Sequence, residues 1–328
     1  MVKHLWGRLH NDYVRRSRLA DYRALLARAH EASYAVVPVG SFPALRRNGG
    51  NLRILVMRHD IDTAPRVALR FAEAEAAIGG RASYFFRLST ADVSIMRGLA
   101  DAGHEVGYHY EELATVAKER GVDDRARVPE ILGEARERFV RNLTLLRERT
   151  GLPLRVAASH GDFANRALGT SNTLLLADHA LRKRAGIDLE AYDSEVEDWL
   201  AFRTRDVPTP QTWRSRDSGS GDPAPAICEG AGPMLILTHP RQWGRQWYWN
   251  AREDLTRTVE GLLFNAGIPR PSLSRLALWT RARWSTTVAA HSERGEENHA
   301  VVRHRVQDRD VRSGQRPCGG AARDRAAL

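Results

Sequence analysis

The sequence predicts an α/β fold built on a largely parallel sheet. Apolar runs typical of buried parallel strands recur along the chain, for example Arg53 to Arg58 (RILVMR) and Met234 to Thr238 (MLILT). Stretches with helical spacing separate them and end at glycine or proline. Aspartate and histidine follow several of these strands directly. Strands that alternate with helices indicate βαβ units, in which the strands run parallel.

The same patterns predict the other elements in chain order. Helices are expected over 12–30, 65–78, 91–102, 129–149 and 247–265, and strands over 33–39, 53–58, 82–87, 105–110, 154–159 and 234–238. Pro65 suits the first turn of its helix, and Gly103 and Gly151 stop the two helices that precede them. The stretch Pro208 to Pro233 is rich in Pro, Gly and Ser and is expected to be a long irregular insertion.

Composition excludes several classes of protein. The 328 residues are 42% hydrophobic, and the longest apolar run falls well short of the roughly 20 residues that span a bilayer. The first residues (MVKHLWGRLH) lack the apolar core of a secretory signal, so a cytoplasmic location is expected. Two cysteines are too few for a disulfide framework or a cysteine-rich zinc site. The net charge of +10 is spread along the chain without a basic helix, so no nucleic-acid partner is expected.

The chain divides into three predicted regions. Residues 1–50 are expected to form an N-terminal extension of a helix and a strand, and residues 51–280 the main α/β domain. Residues 281–328 lose periodicity and end in a low-complexity run, which predicts a disordered tail. The sequence gives no indication of the oligomeric state.

Polar side chains collect at the carboxyl ends of the predicted strands. Asp60 and Asp62 follow one strand and, two residues apart, project to the same side. His109, His160 and His239 occupy the ends of three others. Because these ends meet at one edge of a parallel sheet, the set suits a divalent-metal hydrolase. The alternatives are that Asp62 caps the next helix and that each histidine is an ordinary core residue.

Three segments resemble one family. RILVMRHDID, APRVALRFAEAEAAIGGRASYFFR and GHEVGYHYEEL are similar to the polysaccharide deacetylases (NodB homology, carbohydrate esterase family 4), over roughly residues 50–270. The resemblance implies a distorted (β/α) barrel that removes acetyl groups from a carbohydrate or glycoconjugate with one divalent metal ion, most commonly zinc. It also implies that Asp60 is the catalytic base, Asp62 and His109 are metal ligands, and His239 is the general acid.

Two motifs depart from the family pattern. The second histidine of the family's metal pair is replaced by Leu113, so either His160 or Glu111 is expected to supply the third ligand, and His160 is preferred because histidine suits zinc. The family's Arg-Pro segment is missing. Arg58 or Arg87, both at strand ends, is expected to take over part of its role at the substrate and the base.

Further contacts with a sugar are expected outside these motifs. Asp217, within Arg216-Asp217-Ser218, resembles another active-site segment of the family. Trp243, Trp247 and Trp249 follow His239, and we expect Trp243 in particular to stack on a sugar ring. The alternative is that these tryptophans pack the last helix against the sheet.

The sequence therefore predicts a metal-dependent deacetylase that acts on carbon–nitrogen bonds other than peptide bonds. Two alternatives remain. One is a catalytically inactive relative that binds a glycan or a protein, and the other is a different barrel metal hydrolase, such as a phosphoesterase.

Overall fold

The fold was obtained as a computed structural model, which describes residues 10, 14–49, 53–207, 213–215, 221–244 and 247–268. The helices are α1 (Leu19–Glu31), α2 (Phe42–Arg47), α3 (Val67–Ala76), α4 (Val93–Asp101), α5 (Glu112–Arg120), α6 (Val128–Thr150), α7 (Phe163–Leu168), α8 (His179–Ala185), α9 (Ser194–Glu197), α10 (Pro223–Cys228) and α11 (Trp247–Asn265). The strands are β1 (Ala35–Val37), β2 (Ile54–Ile61), β3 (Ser83–Phe86), β4 (Glu105–Tyr110), β5 (Val156–Ser159), β6 (Leu189–Glu190), β7 (Phe202–Asp206), β8 (Trp213–Ser215) and β9 (Met234–Thr238).

The strands form one largely parallel sheet, which confirms the predicted α/β class. Their order is β6-β5-β4-β3-β2-β9-β7-β8, with β1 paired to β2. Each pairing is parallel except that of β7 with β8. Within the described residues no pairing joins the end strands β6 and β8, so closure into a barrel stays a prediction of the family resemblance.

Strand β2 lies in the middle of the sheet and is buried along all eight residues. Val56 packs in a cluster with Phe85 and Leu237 on one face, whereas Met57 belongs to the larger cluster on the other. Because side chains alternate along a strand, Arg58 and Asp60 point to the same face as Val56. We call this face the inner face. Its apolar side chains are followed, towards the carboxyl end of β2, by the polar residues Arg58 and Asp60.

Most predicted elements are found close to their expected positions. Strands β4 and β9 and helix α11 have the bounds expected from the sequence, and β2 runs three residues further than predicted, through Ile61. The first helix begins at Leu19 rather than at residue 12. No helix among the described residues is both long and apolar enough to cross a membrane.

The expectation of an irregular insertion over 208–233 was wrong in part. Strand β8 and helix α10 lie within it, and Asp222 caps α10 by accepting a hydrogen bond from the Ala224 N–H. Strand β6, strand β7 and helix α5 were also not predicted. Strands β6 and β8, of two and three residues, are too short to show a period, so their place is decided by tertiary pairing.

The predicted N-terminal extension packs directly on the sheet. Strand β1 pairs in parallel with β2, and α1 contacts α3, where the Tyr22 hydroxyl donates to the buried carboxylate of Glu75. The domain boundaries remain a prediction, and the tail expected over 281–328 lies outside the described residues.

Gly107 allows β4 to approach its neighbours closely. A Cβ at this position would lie 2.5 Å from the Phe85 ring and 2.6 Å from the Val156 carbonyl oxygen. Gly107 and His109 are two residues apart on β4, so the glycine lies beneath His109 on the inner face.

Candidate active site

Five neighbouring strands deliver polar side chains to one edge of the sheet. Asp60 on β2 is paired in register with Phe85 on β3, and His109 on β4 with Ala158 on β5. Arg87, His160 and His239 each follow the last residue of a strand. The register therefore brings the predicted site residues together, as expected where the carboxyl ends of parallel strands meet.

Three of these side chains converge on one point. Asp62 Oδ1 lies 3.4 Å from His109 Nε2 and 3.5 Å from His160 Nε2. It is a buried oxygen without a hydrogen-bond partner in the described structure. A tetrahedral zinc ion with bonds of about 2.0–2.1 Å separates its ligand atoms by about 3.3 Å. The donor set and its spacing thus fit a divalent ion held by the three residues predicted from the sequence.

His109 is oriented to present one particular nitrogen. Its Nδ1 lies 2.9 Å from the Ala158 carbonyl oxygen, and since a carbonyl can only accept, Nδ1 carries the proton. In the neutral imidazole that a metal ion requires, Nε2 is the nitrogen without a proton, and it faces Asp62. A backbone carbonyl that fixes the tautomer in this way is the usual support of a metal-binding histidine.

His160 has a charged neighbour at each ring nitrogen. Its Nδ1 lies 3.1 Å from Glu111 Oε2, at an angle outside hydrogen-bond geometry, so this contact is electrostatic. Its Nε2 lies 2.7 Å from Arg257 Nη2 on helix α11. A guanidinium group has no acceptor, so Nε2 accepts and His160 is neutral; burial, the largest cause, lowers its pKa. An ion at this nitrogen must therefore displace Arg257.

Glu111, the other candidate for the third ligand, is held by Arg87. The Arg87 guanidinium donates to both carboxylate oxygens of Glu111, at 2.9 and 3.0 Å, and to Glu253 on α11. Burial raises the pKa of Glu111, but Arg87 outweighs it and holds the pKa well below its usual range. Glu111 is therefore already engaged by a cation, and Arg87 is engaged with two carboxylates.

A second cluster of possible metal ligands, which shares His160, is less suited to an ion. Glu111, His160 and Asp162 also lie close together. Both Asp162 oxygens are already used, one by the Ala164 N–H at the start of α7 and the other by the Lys118 ammonium group. The group with Asp62 is the better candidate, because its carboxylate oxygen has no partner.

Arg58 holds the candidate base Asp60. Its Nε and Nη2 donate to the two carboxylate oxygens at 2.8 and 2.9 Å, and both side chains are almost fully buried. Burial raises the pKa of Asp60, whereas Arg58 and then His109 lower it by a larger amount, so the pKa lies below its ordinary value. Asp60 is therefore ionised at neutral pH and fixed in orientation.

The candidate acid His239 has a carboxylate partner that the sequence did not reveal. His239 Nδ1 lies 2.6 Å from Asp206 Oδ1, at the end of β7, and its backbone N–H donates to Asp206 Oδ2. Burial lowers the pKa of His239. The negative charges of Asp206, Asp62 and Asp60 raise it by a larger amount, so the pKa lies at about 9. The imidazole is thus protonated at neutral pH.

One predicted substrate contact, Trp243, lies in the core, and another lies outside the described residues. Trp243 is 1% exposed and donates its indole N–H to Asp206 Oδ2, so its ring belongs to the core and we do not retain it as a sugar-stacking residue. Asp217 lies outside the described residues. Leu113 is fully buried in the apolar core, as expected of a residue that binds no metal. Trp247 and Trp249 are exposed on α11.

Sequence reasoning missed three residues at the site. Asp206 stands at the end of a strand like the predicted aspartates, and it escaped notice because β7 (FRTRD) lacks an apolar run. Tyr192 follows the two-residue strand β6, and its ring faces the Arg58 guanidinium at 4.5 Å. Arg257 comes from a distant helix, and no local signal marks it.

Comparison with known proteins gave only distant matches. No protein-family model and no curated protein matches the chain. Similar solved structures include a CE4 family pseudoenzyme from Bacillus anthracis (10% identity, 64% of this chain and 62% of that one, TM-score 0.35). They also include the peptidoglycan deacetylase PdaC from Bacillus subtilis (13%, 74% and 98%, 0.34) and a family 4 carbohydrate esterase from Streptomyces lividans in complex with acetate (14%, 68% and 93%, 0.32).

The match to the pseudoenzyme is partial as well as weak. This chain spans 62% of its length, which is less than two thirds. Similarity this low carries no weight for the function proposed next, which depends on the side chains of this chain.

Proposed function

We propose that this chain is a divalent-metal hydrolase that removes the acetyl group from an amino sugar or glycoconjugate. One observation carries the proposal. The unpartnered carboxylate oxygen of Asp62 meets two imidazole nitrogens, and a base (Asp60) and an acid (His239) with their own charged partners lie at the same edge of the sheet.

Asp62, His109 and His160 would hold the metal ion, and zinc suits one carboxylate and two imidazoles. When bound, such an ion polarises the acetyl carbonyl and lowers the pKa of a water molecule beside it. The Ala158 carbonyl oxygen keeps the His109 imidazole in place by its contact with Nδ1.

Asp60 would act as the general base. Its carboxylate is ionised and held at both oxygens by Arg58, so it accepts a proton without turning away. The proton comes from the water whose oxygen adds to the acetyl carbonyl carbon. In this proposal Arg58 orients the base. The sequence had left the choice between Arg58 and Arg87 open.

His239 would complete the reaction as the general acid. The C–N bond breaks, acetate leaves, and the amine nitrogen takes a proton from the His239 imidazolium. Asp206 keeps this imidazole charged and anchored. The positive charge of His239 lowers the pKa values of Asp60 and Asp62, which supports placing the acid near both carboxylates.

A second candidate function is a metal-free protein that binds glycan without turning it over. The contact of Arg257 with His160 Nε2 favours it, because a guanidinium group there takes the place of an ion at one of three ligands. The two candidates differ in the binding of a divalent ion and in turnover of the glycan.

Acetate release from tetra-N-acetylchitotetraose by the zinc-loaded protein tests the deacetylase. Asp60→Asn is expected to lower the rate by on the order of 10²–10⁴-fold, the usual contribution of a general base. Asp188→Asn is the matched control and should leave the rate unchanged. Asp188 forms an exposed ion pair with Arg155 at the amino ends of β5 and β6, whereas the site lies at the carboxyl ends. No acetate from the wild type, or full activity in Asp60→Asn, would refute the proposal, and phosphate release from a phosphate ester would favour the phosphoesterase.

A further inference from the structure

A buried polar network lies behind the site, on the face of the sheet opposite to the inner face. It joins His59 on β2, Thr238 on β9 and Glu75 on α3, and all three side chains are fully buried. His59 Nδ1 lies 2.6 Å from Thr238 Oγ1, and its Nε2 lies 2.6 Å from Glu75 Oε1. Apolar side chains would fill this part of the core without burying a charge, and none of the three residues takes part in the proposed chemistry. The network therefore calls for a role beyond core packing.

His59 and Thr238 occupy a particular place in the sheet. They are register partners, and theirs is the last pair in the ladder between β2 and β9. Asp60 and His239 are the next residues along the two extended segments, and because side chains alternate, both point to the inner face. The backbone pairing of β2 with β9 thus stops one residue before the candidate base and the candidate acid. The contact between the two side chains joins the strands where the ladder ends.

The imidazole of His59 is anchored on its other sides. Glu75 also accepts hydrogen bonds from the Tyr22 and Tyr84 hydroxyl groups. Burial raises the pKa of Glu75, whereas His59 lowers it by a larger amount together with the hydroxyl groups, so the carboxylate is ionised and can only accept. His59 Nε2 therefore carries a proton and donates to Glu75. The ring also stacks on Phe71, with ring centres 4.8 Å apart and an angle of 10° between the planes, so its position and orientation are fixed.

The contact with Thr238 does not depend on the charge of the imidazole. With Nε2 protonated, a neutral ring accepts the threonine hydroxyl at Nδ1, and a charged ring donates from Nδ1 to the hydroxyl oxygen. The Thr238 hydroxyl makes no other hydrogen bond within the described part of the chain. A substitution that removes this hydroxyl therefore tests the contact by itself.

We infer that His59 is a positioning residue that sets the separation between the candidate base and the candidate acid. It does so by holding Thr238, and with it the end of β9, against β2. The inference rests on the proposed function for the roles of Asp60 and His239. Without the contact, the ends of the two strands separate more often while the rest of the ladder holds. The acid then meets the leaving amine less often in the correct position, which lowers kcat and leaves substrate binding unchanged.

A series of substitutions at Thr238 separates the hydroxyl group from the size of the side chain. Thr238→Val keeps the size and removes the hydroxyl, Thr238→Ala removes both, and Thr238→Ser keeps the hydroxyl on a smaller side chain. Thr150→Val is the matched control. Thr150 is a buried threonine at the end of α6, before the amino end of β5, and its hydroxyl donates to the Leu146 carbonyl oxygen at 2.7 Å. Thermal unfolding verifies that each variant is folded.

Hydrogen exchange measures opening at the end of the ladder without reference to activity, in peptides that cover residues 58–61 and 236–239. We expect exchange there to be about tenfold faster in Thr238→Val and Thr238→Ala than in Thr238→Ser, the control and the wild type, as for the loss of one buried hydrogen bond. Exchange that is equal in all variants, or that follows the size of the side chain instead of the hydroxyl, would overturn the inference.

Acetate release from tetra-N-acetylchitotetraose by the zinc-loaded variants is the second measurement. The two variants without the hydroxyl are expected to have a kcat about tenfold lower with an unchanged KM, and Thr238→Ser should recover most of the loss. Acetate release with an unchanged kcat in Thr238→Val would overturn the inference and keep the deacetylase. No acetate release from the wild type, together with exchange that depends on the hydroxyl, would refute the deacetylase and keep the role of His59 in the spacing of the two strands.

Discussion

At the scale of single residues, each candidate catalytic group has a partner of opposite charge. Arg58 keeps Asp60 ionised, and Asp206 keeps His239 protonated. Burial alone would favour the neutral form of each group, so the partners decide the outcome. A base and an acid are thus available at the same pH, which is the division of roles that hydrolysis of an amide requires.

The first prediction concerns Asp206→Asn. Asp206 raises the pKa of His239, which lies at about 9, above the ordinary histidine value. A general acid must be protonated, so activity is lost as the pH rises through this pKa. Removing the carboxylate lowers the pKa, and the alkaline limb of the rate profile should move to lower pH, towards about 6.5.

The His239 ring can be followed directly by NMR titration in both proteins. Asp198→Asn, at an exposed aspartate, is the control and should leave the titration unchanged. A His239 pKa that is the same with and without the Asp206 carboxylate would contradict this account of the acid.

The second prediction concerns the Arg58–Asp60 pair. Arg58→Met leaves a buried carboxylate without its partner, and loss of one member of a buried ion pair costs about 3–5 kcal/mol. The double variant Arg58→Met with Asp60→Asn removes the charge as well and should recover much of this loss. Urea unfolding of the single and double variants measures the difference, and equal destabilisation by both would show that the pairing is not what stabilises Asp60.

At the scale of elements, the approach of β4 to its neighbours positions His109. Gly107→Ala would place a methyl group 2.6 Å from the Val156 carbonyl oxygen, and backbone cannot give way cheaply. We expect a loss of about 1–3 kcal/mol in the free energy of unfolding, the usual cost of overpacking. Gly133→Ala in α6 meets no atom within 4 Å and is the control, with an expected gain of about 0.5–1 kcal/mol from helix propensity. An unchanged free energy of unfolding in Gly107→Ala would show that the strands can separate to admit the methyl group.

Helix α11 reaches the site through polar contacts along one side. Asn250 accepts from Thr63, Glu253 from Arg87, and Arg257 donates to His160. Of the described residues in this helix only Asn250 and Phe264 are buried, so polar contacts provide much of its attachment. The helix is therefore coupled to the state of His160.

The fourth prediction follows from that coupling. Arg257→Ala frees His160 Nε2 and removes a positive charge beside the candidate metal ligands, so zinc should bind about tenfold more tightly, as expected for the loss of one competing hydrogen bond to a charged group. A competition titration against a chelating dye measures the dissociation constant without reference to activity. Arg252→Ala, an exposed arginine on the same helix, is the control. Equal affinities in the two variants would show that Arg257 and the ion do not compete.

At the scale of the whole molecule, the sequence predicted what depends on local patterns. Apolar runs located β2, β4 and β9, and the polar residues after them made Asp60, Asp62 and the three histidines the candidates. His160 was preferred over Glu111 on ligand chemistry, and this choice stays a prediction that the engagement of Glu111 by Arg87 supports. Such residues are predictable because parallel strands necessarily bring their carboxyl ends together.

The rest depends on contacts between distant parts of the chain. Arg257 and His160 are 97 positions apart, and Asp206 and His239 are 33 apart, so no spacing motif contains either pair. Trp243 was misassigned for the same reason, since an indole beside a strand end can face a ligand or the core. Its hydrogen bond to Asp206 decides for the core.

The central claim is that Asp62, His109 and His160 hold one divalent ion. Elemental analysis of zinc bound at equilibrium by the wild type and by Asp62→Asn tests it most directly, with Glu111→Gln as the matched acidic control. The account predicts one zinc ion per chain in the wild type and in Glu111→Gln, and none in Asp62→Asn. Zinc retained by Asp62→Asn but lost from Glu111→Gln, or absent from the wild type, would contradict it.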